Sequence, residues 1–149
     1  MKKFSFRLES YLRVCRHREE LEQVRLSELV TEAKRLRETL GALRDGRRRT
    51  REELGTRREI RVYEVGWFRS RIRGLQDQIE LTESQLTNLQ NLIIQQRIQL
   101  IEARKKRKVV EKLRANRFAE FQKVADLELQ KELDDLFLQR LHQPSDETV

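Results

Sequence analysis

Chemistry at a protein site needs ionisable or metal-binding side chains held together, so the first residues to weigh are His17, His142, Cys15 and the adjacent acids Asp134 and Asp135. The two histidines stand near opposite ends of the chain, and neither falls in an H-x-x-x-H or H-E-x-x-H pattern. They read as surface histidines, not metal ligands. Cys15 is the only cysteine in the 149 residues, which leaves no intrachain disulfide and no cysteine-based metal framework, and suits the reducing interior of a cell. Neighbouring residues on a helix point about 100° apart, so Asp134 and Asp135 read as solvated charge. The five glycines are scattered, and no G-x-x-x-x-G-K-[ST] phosphate loop occurs. The expectation is a protein that is not an enzyme, with no cofactor and no metal.

Basic residues are the remaining candidates. The net charge is +8, unevenly spread: residues 104–117 hold eight Lys or Arg against Glu111 alone, residues 118–149 hold three against eight acids, and a second basic cluster runs from Arg44 to Arg58. The run from Arg104 to Lys108 could meet phosphates, but five consecutive side chains on a helix point all round it. No interleaved aromatics and no groove-reading helix accompany it, so no nucleic-acid partner is expected. These charges read as solvated helix faces or as a docking surface for an acidic partner.

The elements that must position all these residues are long helices. Charged residues make up 39% and apolar ones 37%, and Pro144 is the single proline, so little interrupts a helix and little apolar surface is available for a thick core. Apolar or small residues recur in alternating steps of three and four at Leu26, Leu29, Ala33, Leu36, Leu40 and Leu43, then Arg47, Thr50 and Leu54. That spacing is the seam of a coiled coil. Phe4, Leu8, Tyr11 and Cys15 keep similar spacing upstream and join it through an eleven-residue step, which predicts local unwinding. A second seam runs through Phe68, Ile72, Leu75, Ile79, Thr82, Leu86, Leu89, Ile93, Gln96, Leu100 and Ala103, then shifts register through Val110, Phe118, Phe121, Ala125, Leu129, Leu133 and Leu136. Gly55 reads as a helix terminator, and Thr56 with Glu59 as a T-x-x-E capping box.

Two seams with a short connection cover each other most simply by folding back. The fold class predicted is all-α: an antiparallel two-helix coiled-coil hairpin, helix 1 about 4–54, turn about 55–58 and helix 2 about 59–142, in one domain over 1–143 with a polar tail at 144–149. Helix 2 is the longer, so its C-terminal part overhangs. Phe4, Phe6 and Tyr11 are expected opposite Val110, Leu113, Phe118 and Phe121. Met1 to Phe6 has no apolar stretch behind its lysines and no apolar run nears the roughly 20 residues of a membrane span, so a soluble protein without a signal peptide is expected. Trp67 and Phe68 follow the turn, and two readings stay open: seam residue with an incidental flank, or aromatic anchors for a partner.

The residues also carry a family resemblance. The opening Phe4-Ser-Phe-Arg-Leu-Glu-Ser-Tyr-Leu12, the post-turn Val62-Tyr-Glu-Val-Gly-Trp-Phe-Arg-Ser-Arg-Ile72, and the later Glu111-Lys-Leu-Arg-Ala-Asn-Arg-Phe118 with Glu132-Leu-Asp-Asp135 resemble the flagellar export protein FliJ family over nearly the whole chain. The resemblance implies a stalk-like cytoplasmic adaptor of the bacterial type III flagellar export apparatus, peripherally associated with the inner face of the cell membrane at the flagellar base. Its implied partners are the hexameric export ATPase, which the open end of the hairpin would contact, the cytoplasmic part of the membrane export gate, and export chaperones that it helps to recycle. It further implies gate contact at Phe68, Ile72, Leu75 and Ile79, and chaperone contact at Leu36, Leu40 and Leu43. A stalk protein of a virulence-type secretion system, a rotary ATPase central stalk and a basic nucleic-acid-associated coiled coil are the competing readings.

Overall fold

The structure, a computed structural model, describes residues 2–142. It contains two helices, α1 (Glu9–Thr56, 48 residues) and α2 (Val62–His142, 81 residues), packed against each other as an antiparallel helical hairpin. The seams of the sequence are its core. Every position from Leu26 to Leu54 and from Phe68 to Ala103 at the three-and-four spacing is buried or half-buried, while the positions between them are mostly exposed.

The described residues divide into two compact units, one of residues 18–103 and one of residues 2–17 with 104–142. In the first, Ala33, Leu36, Leu89 and Ile93 form a buried cluster supported by Leu26, Leu29 and Leu86. Polar cross-links set the register. As the α1 residue falls from Arg47 to Glu22, its α2 partner rises from Gln76 to Gln96, the signature of antiparallel pairing. Gln96 Nε2 donates to the Glu22 carbonyl at 3.1 Å as well as to its carboxylate, and Arg44 meets Glu83 at 2.8 Å. Polar pairs at seam positions specify register more than they add stability. The buried hydroxyls of Thr50 and Thr82 donate to the carbonyls of Gly46 and Gln78, each at 2.8 Å, so neither needs a partner across the seam.

The connection differs from its expected form. Gly55 has no left-handed backbone and lies inside α1, and the Thr56 hydroxyl donates back to the Glu53 carbonyl at 3.0 Å instead of opening a new helix. α2 begins three residues later than expected. Its cap is Glu64, whose carboxylate accepts from the Arg61 backbone N–H at 3.4 Å, the returning half of a capping box one turn beyond the T-x-x-E motif. Gly46 is half-buried in α1, and a methyl group there would meet the Leu75 Cδ2 at an ordinary 4.0 Å, while Gly41 has open space. Gly41→Ala and Gly46→Ala should each raise unfolding free energy by about 0.5 to 1 kcal/mol, the helix preference of alanine over glycine, measured by chemical denaturation.

In the second unit, Leu12, Cys15 and Val110 are buried with Phe6 packed against them. Residues 2–8 precede α1 as a non-helical segment, closed by a turn in which the Glu9 N–H donates to the Phe6 carbonyl at 3.1 Å. Phe4 therefore leaves the helical register and sits against Phe118 and Phe121, at centroid distances of 5.1 and 5.6 Å, with the Arg114 guanidinium over its ring. Arg114 also binds Glu9 at 2.9 Å, and Glu111 is shared by Arg16 and Arg107. Leu8 and Tyr11 are exposed, because the buried face of α1 runs through Leu12 and Cys15. The eleven-residue step is no discontinuity. Glu19 and Glu22 occupy the intervening positions at steps of four, three and four, and both are half-buried. On α2 the rhythm likewise runs on unshifted from Ala103 through Arg107, Val110 and Arg114, all at least half-buried. From Gln122 to His142 every residue is exposed, so this part of α2 overhangs.

Candidate protein-docking surfaces

Three surfaces can be built from the residues upward. The first is the start of α2. Phe68, Ile72, Leu75 and Ile79 recur at steps of four, three and four, which places them on one face, and that face is turned to α1. Phe68 is 1% exposed and Ile79 2%, with Ile72 and Leu75 half-buried. The Phe68 ring is held by the edge of Trp67 at 4.9 Å and by the Arg57 guanidinium at 5.2 Å. Adjacent residues on a helix diverge by about 100°, so burying Phe68 turns Trp67 outward. Trp67 is 55% exposed, Tyr63 67% and Val62 92%. Glu53, Arg57, Glu64 and Trp67 line a shallow cleft of about 310 Å³ there, in which Arg57 bridges both carboxylates at 3.5 and 3.4 Å. Reading the seam alone singles out Phe68. The helical wheel beside it is the signal for the exposed ridge.

The second surface is the stretch of α1 around Leu36, Leu40 and Leu43. Leu36 and Leu40 are buried and Leu43 is half-buried, so all three belong to the seam. What this stretch offers outward is charge, including Arg35, which donates to Glu32 at 3.0 Å and holds its carboxyl below the usual range. Both charged groups are open to solvent, so salt screens the pair and it adds little.

The third surface is the end of the hairpin where residues 2–8 meet α2. Phe4, Phe6, Leu113 and Phe121 line an open hollow of about 740 Å³ rimmed by Lys2 and Arg117. Further along α2, Leu129, Leu133, Leu136, Phe137 and Leu141 are all more than half exposed and recur at steps that keep them near one face. An apolar stripe of this kind on a helix without a covering partner marks an interaction surface. Among the described residues no group of three or more His, Cys, Asp or Glu could hold a metal ion, and no helix is long and apolar enough to cross a membrane.

Comparison with known proteins adds the decisive observation. The family model described as flagellar FliJ protein matches residues 4–146, nearly the entire chain. The chain belongs to the FliJ family. It is therefore a component of the flagellar protein export apparatus, and its two helices pack as the all-α hairpin expected from the two seams. No curated protein and no solved structure matches.

Proposed function

We propose that this chain is a non-enzymatic stalk of the flagellar export apparatus that joins the export ATPase ring to the cytoplasmic part of the export gate and assists chaperone recycling, held at the inner face of the membrane through those partners. The observation that carries the reading is the overhang: α2 continues beyond Phe121 with Leu129, Leu133, Leu136 and Phe137 exposed, a stripe that another protein must cover. The ATPase ring is the proposed partner there. The gate is the proposed partner of the Phe68, Ile72, Leu75 and Ile79 face. Because Phe68 and Ile79 are shut into the hairpin, the gate would reach Ile72 and Leu75 at their open edges and Trp67 beside them. A chaperone would bind the stretch around Leu36, Leu40 and Leu43, whose buried leucines support the surface from within.

The overhang is tested with export ATPase purified from the same organism. The full chain should raise ATP turnover and hexamer formation, and a chain stopped after Phe121 should lose most of that effect while keeping its helical signal over the remaining residues. Equal stimulation by the shortened chain would refute the assignment.

A further inference from the structure

The connecting end of the hairpin carries, beside the Trp67 edge proposed for the gate, a set of cations that neither the seam nor the protein partners above use. Between Arg47 and Arg73 there are ten arginines and four glutamates. Three of those glutamates are already engaged inside the protein, Glu52 by Arg48 and both Glu53 and Glu64 by Arg57, which leaves Glu59. Arg58, Arg69 and Arg73 are exposed and have no ion-pair partner among the described residues.

Apolar groups stand among these cations. Phe68, Ile72, Leu75 and Ile79 fix the inward side of α2, so the opposite side of its first turns carries Val62, Tyr63, Gly66, Trp67, Ser70 and Arg73. A methyl group built on Gly66 or on Gly74 would meet nothing within 4 Å, so the backbone on this side of α2 is open to solvent, and Tyr63 and Trp67 are themselves mostly exposed. Each ring is flanked by a guanidinium: Arg61 donates to the Tyr63 hydroxyl at 3.3 Å, and Arg71 lies 5.6 Å from the Trp67 ring centre. A convex helix face with protruding aromatics, a fully exposed valine and a surplus of arginines has the composition that settles at the depth of lipid headgroups. There the rings are half-solvated and the guanidiniums bind phosphate.

We propose that this end of the hairpin binds directly to an anionic phospholipid surface. Val62, Tyr63 and Trp67 enter the headgroup layer, and Arg58, Arg69 and Arg73 contact lipid phosphates. The net charge favours this occupant over an apolar protein groove, because an interface core disfavours so many charges around two aromatics, whereas a phosphate layer pairs with all of them. Glu59 opposes the binding and limits its strength. The inference goes beyond the gate contact and does not depend on it.

Trp67 is the only tryptophan, so its fluorescence reports the contact directly. The full chain is titrated with vesicles of phosphatidylglycerol and phosphatidylcholine in equal parts, and separately with phosphatidylcholine alone. Trp67 emission should shift to the blue and be quenched by brominated acyl chains only with the anionic vesicles, and the shift should fade as salt is raised. Arg69→Gln combined with Arg73→Gln should weaken partitioning about 20- to 30-fold, since each surface arginine contributes about a fivefold factor near an anionic membrane. Arg97→Gln, an exposed position elsewhere on α2, should leave it within about twofold, beyond the range of the surface potential. The proposal is overturned if anionic vesicles leave Trp67 unshifted, if neutral vesicles bind as well, if Arg97→Gln weakens binding as much as the double variant, or if the shift appears only when gate protein is added.

Discussion

Phe68→Ala is expected to lower the free energy of unfolding by about 3 to 4 kcal/mol, the cost of emptying a buried aromatic site that cannot fully collapse. The ring is 1% exposed, and it is held by Trp67 on one side and the Arg57 guanidinium on another, so its removal leaves a cavity at the end of the seam. Trp67→Ala removes a larger side chain from the neighbouring position yet should cost no more than about 1 kcal/mol, because more than half of that residue already faces water. Urea titrations followed by far-ultraviolet circular dichroism measure both. Binding to purified gate domain should show the reverse order, with Trp67→Ala weakening it by about 1 to 2 kcal/mol, as anchor truncations do, and Phe68→Ala weakening it only as far as it loosens the ridge. Equal stability losses would mean that Trp67 is also a structural residue. A Phe68→Ala variant of unchanged stability would contradict its place in the seam.

The second large effect belongs to the other unit. Leu12 is wholly buried, and with Cys15, Val110 and Phe6 it makes the only buried apolar cluster among the described residues of that unit. Leu12→Ala should therefore cost about 3 kcal/mol, most of it felt locally. Cys15 supplies the readout. Its thiol is buried and no other cysteine competes, so labelling by a thiol reagent in the native state requires this cluster to open. A loss of about 3 kcal/mol against opening should speed labelling about 100-fold or more, since each 1.4 kcal/mol is a factor of ten. Leu89→Ala in the 18–103 unit, by contrast, should lower overall stability by about 2 kcal/mol or more with a much smaller effect on Cys15. Identical labelling rates for the two variants would show that the units open together.

The three-and-four spacing determined which faces of α1 and α2 are buried, position by position from Leu26 to Leu54 and from Phe68 to Ala103, because burial on a helix follows its 3.6-residue period whatever the partner. The order and spacing of the short motifs likewise determined the family. Outside those two stretches, where single polar positions such as Arg47 and Gln96 sit between apolar ones, the apolar residues alone do not show the seam. Glu19, Glu22, Arg107 and Arg114 continue the rhythm, and counting only hydrophobes turned an even seam into apparent breaks. Local capping signals also misled, since Thr56 and Glu59 have the right types and spacing, yet Glu64 makes the cap. A capping box is worth only about 1 kcal/mol, less than packing Phe68 under Arg57 and Trp67, so packing decides where α2 begins. The hairpin register already put Phe4 opposite Phe118 and Phe121, but tertiary structure alone decided that Phe4 leaves the helix to reach them, because packing against rings more than a hundred positions away outweighs continuing α1 to the start of the chain's first seam. It decided, too, that of two adjacent aromatics Phe68 is enclosed and Trp67 is presented to solvent. A helix can bury only one of two neighbours pointing about 100° apart, and the position of α1 chooses which.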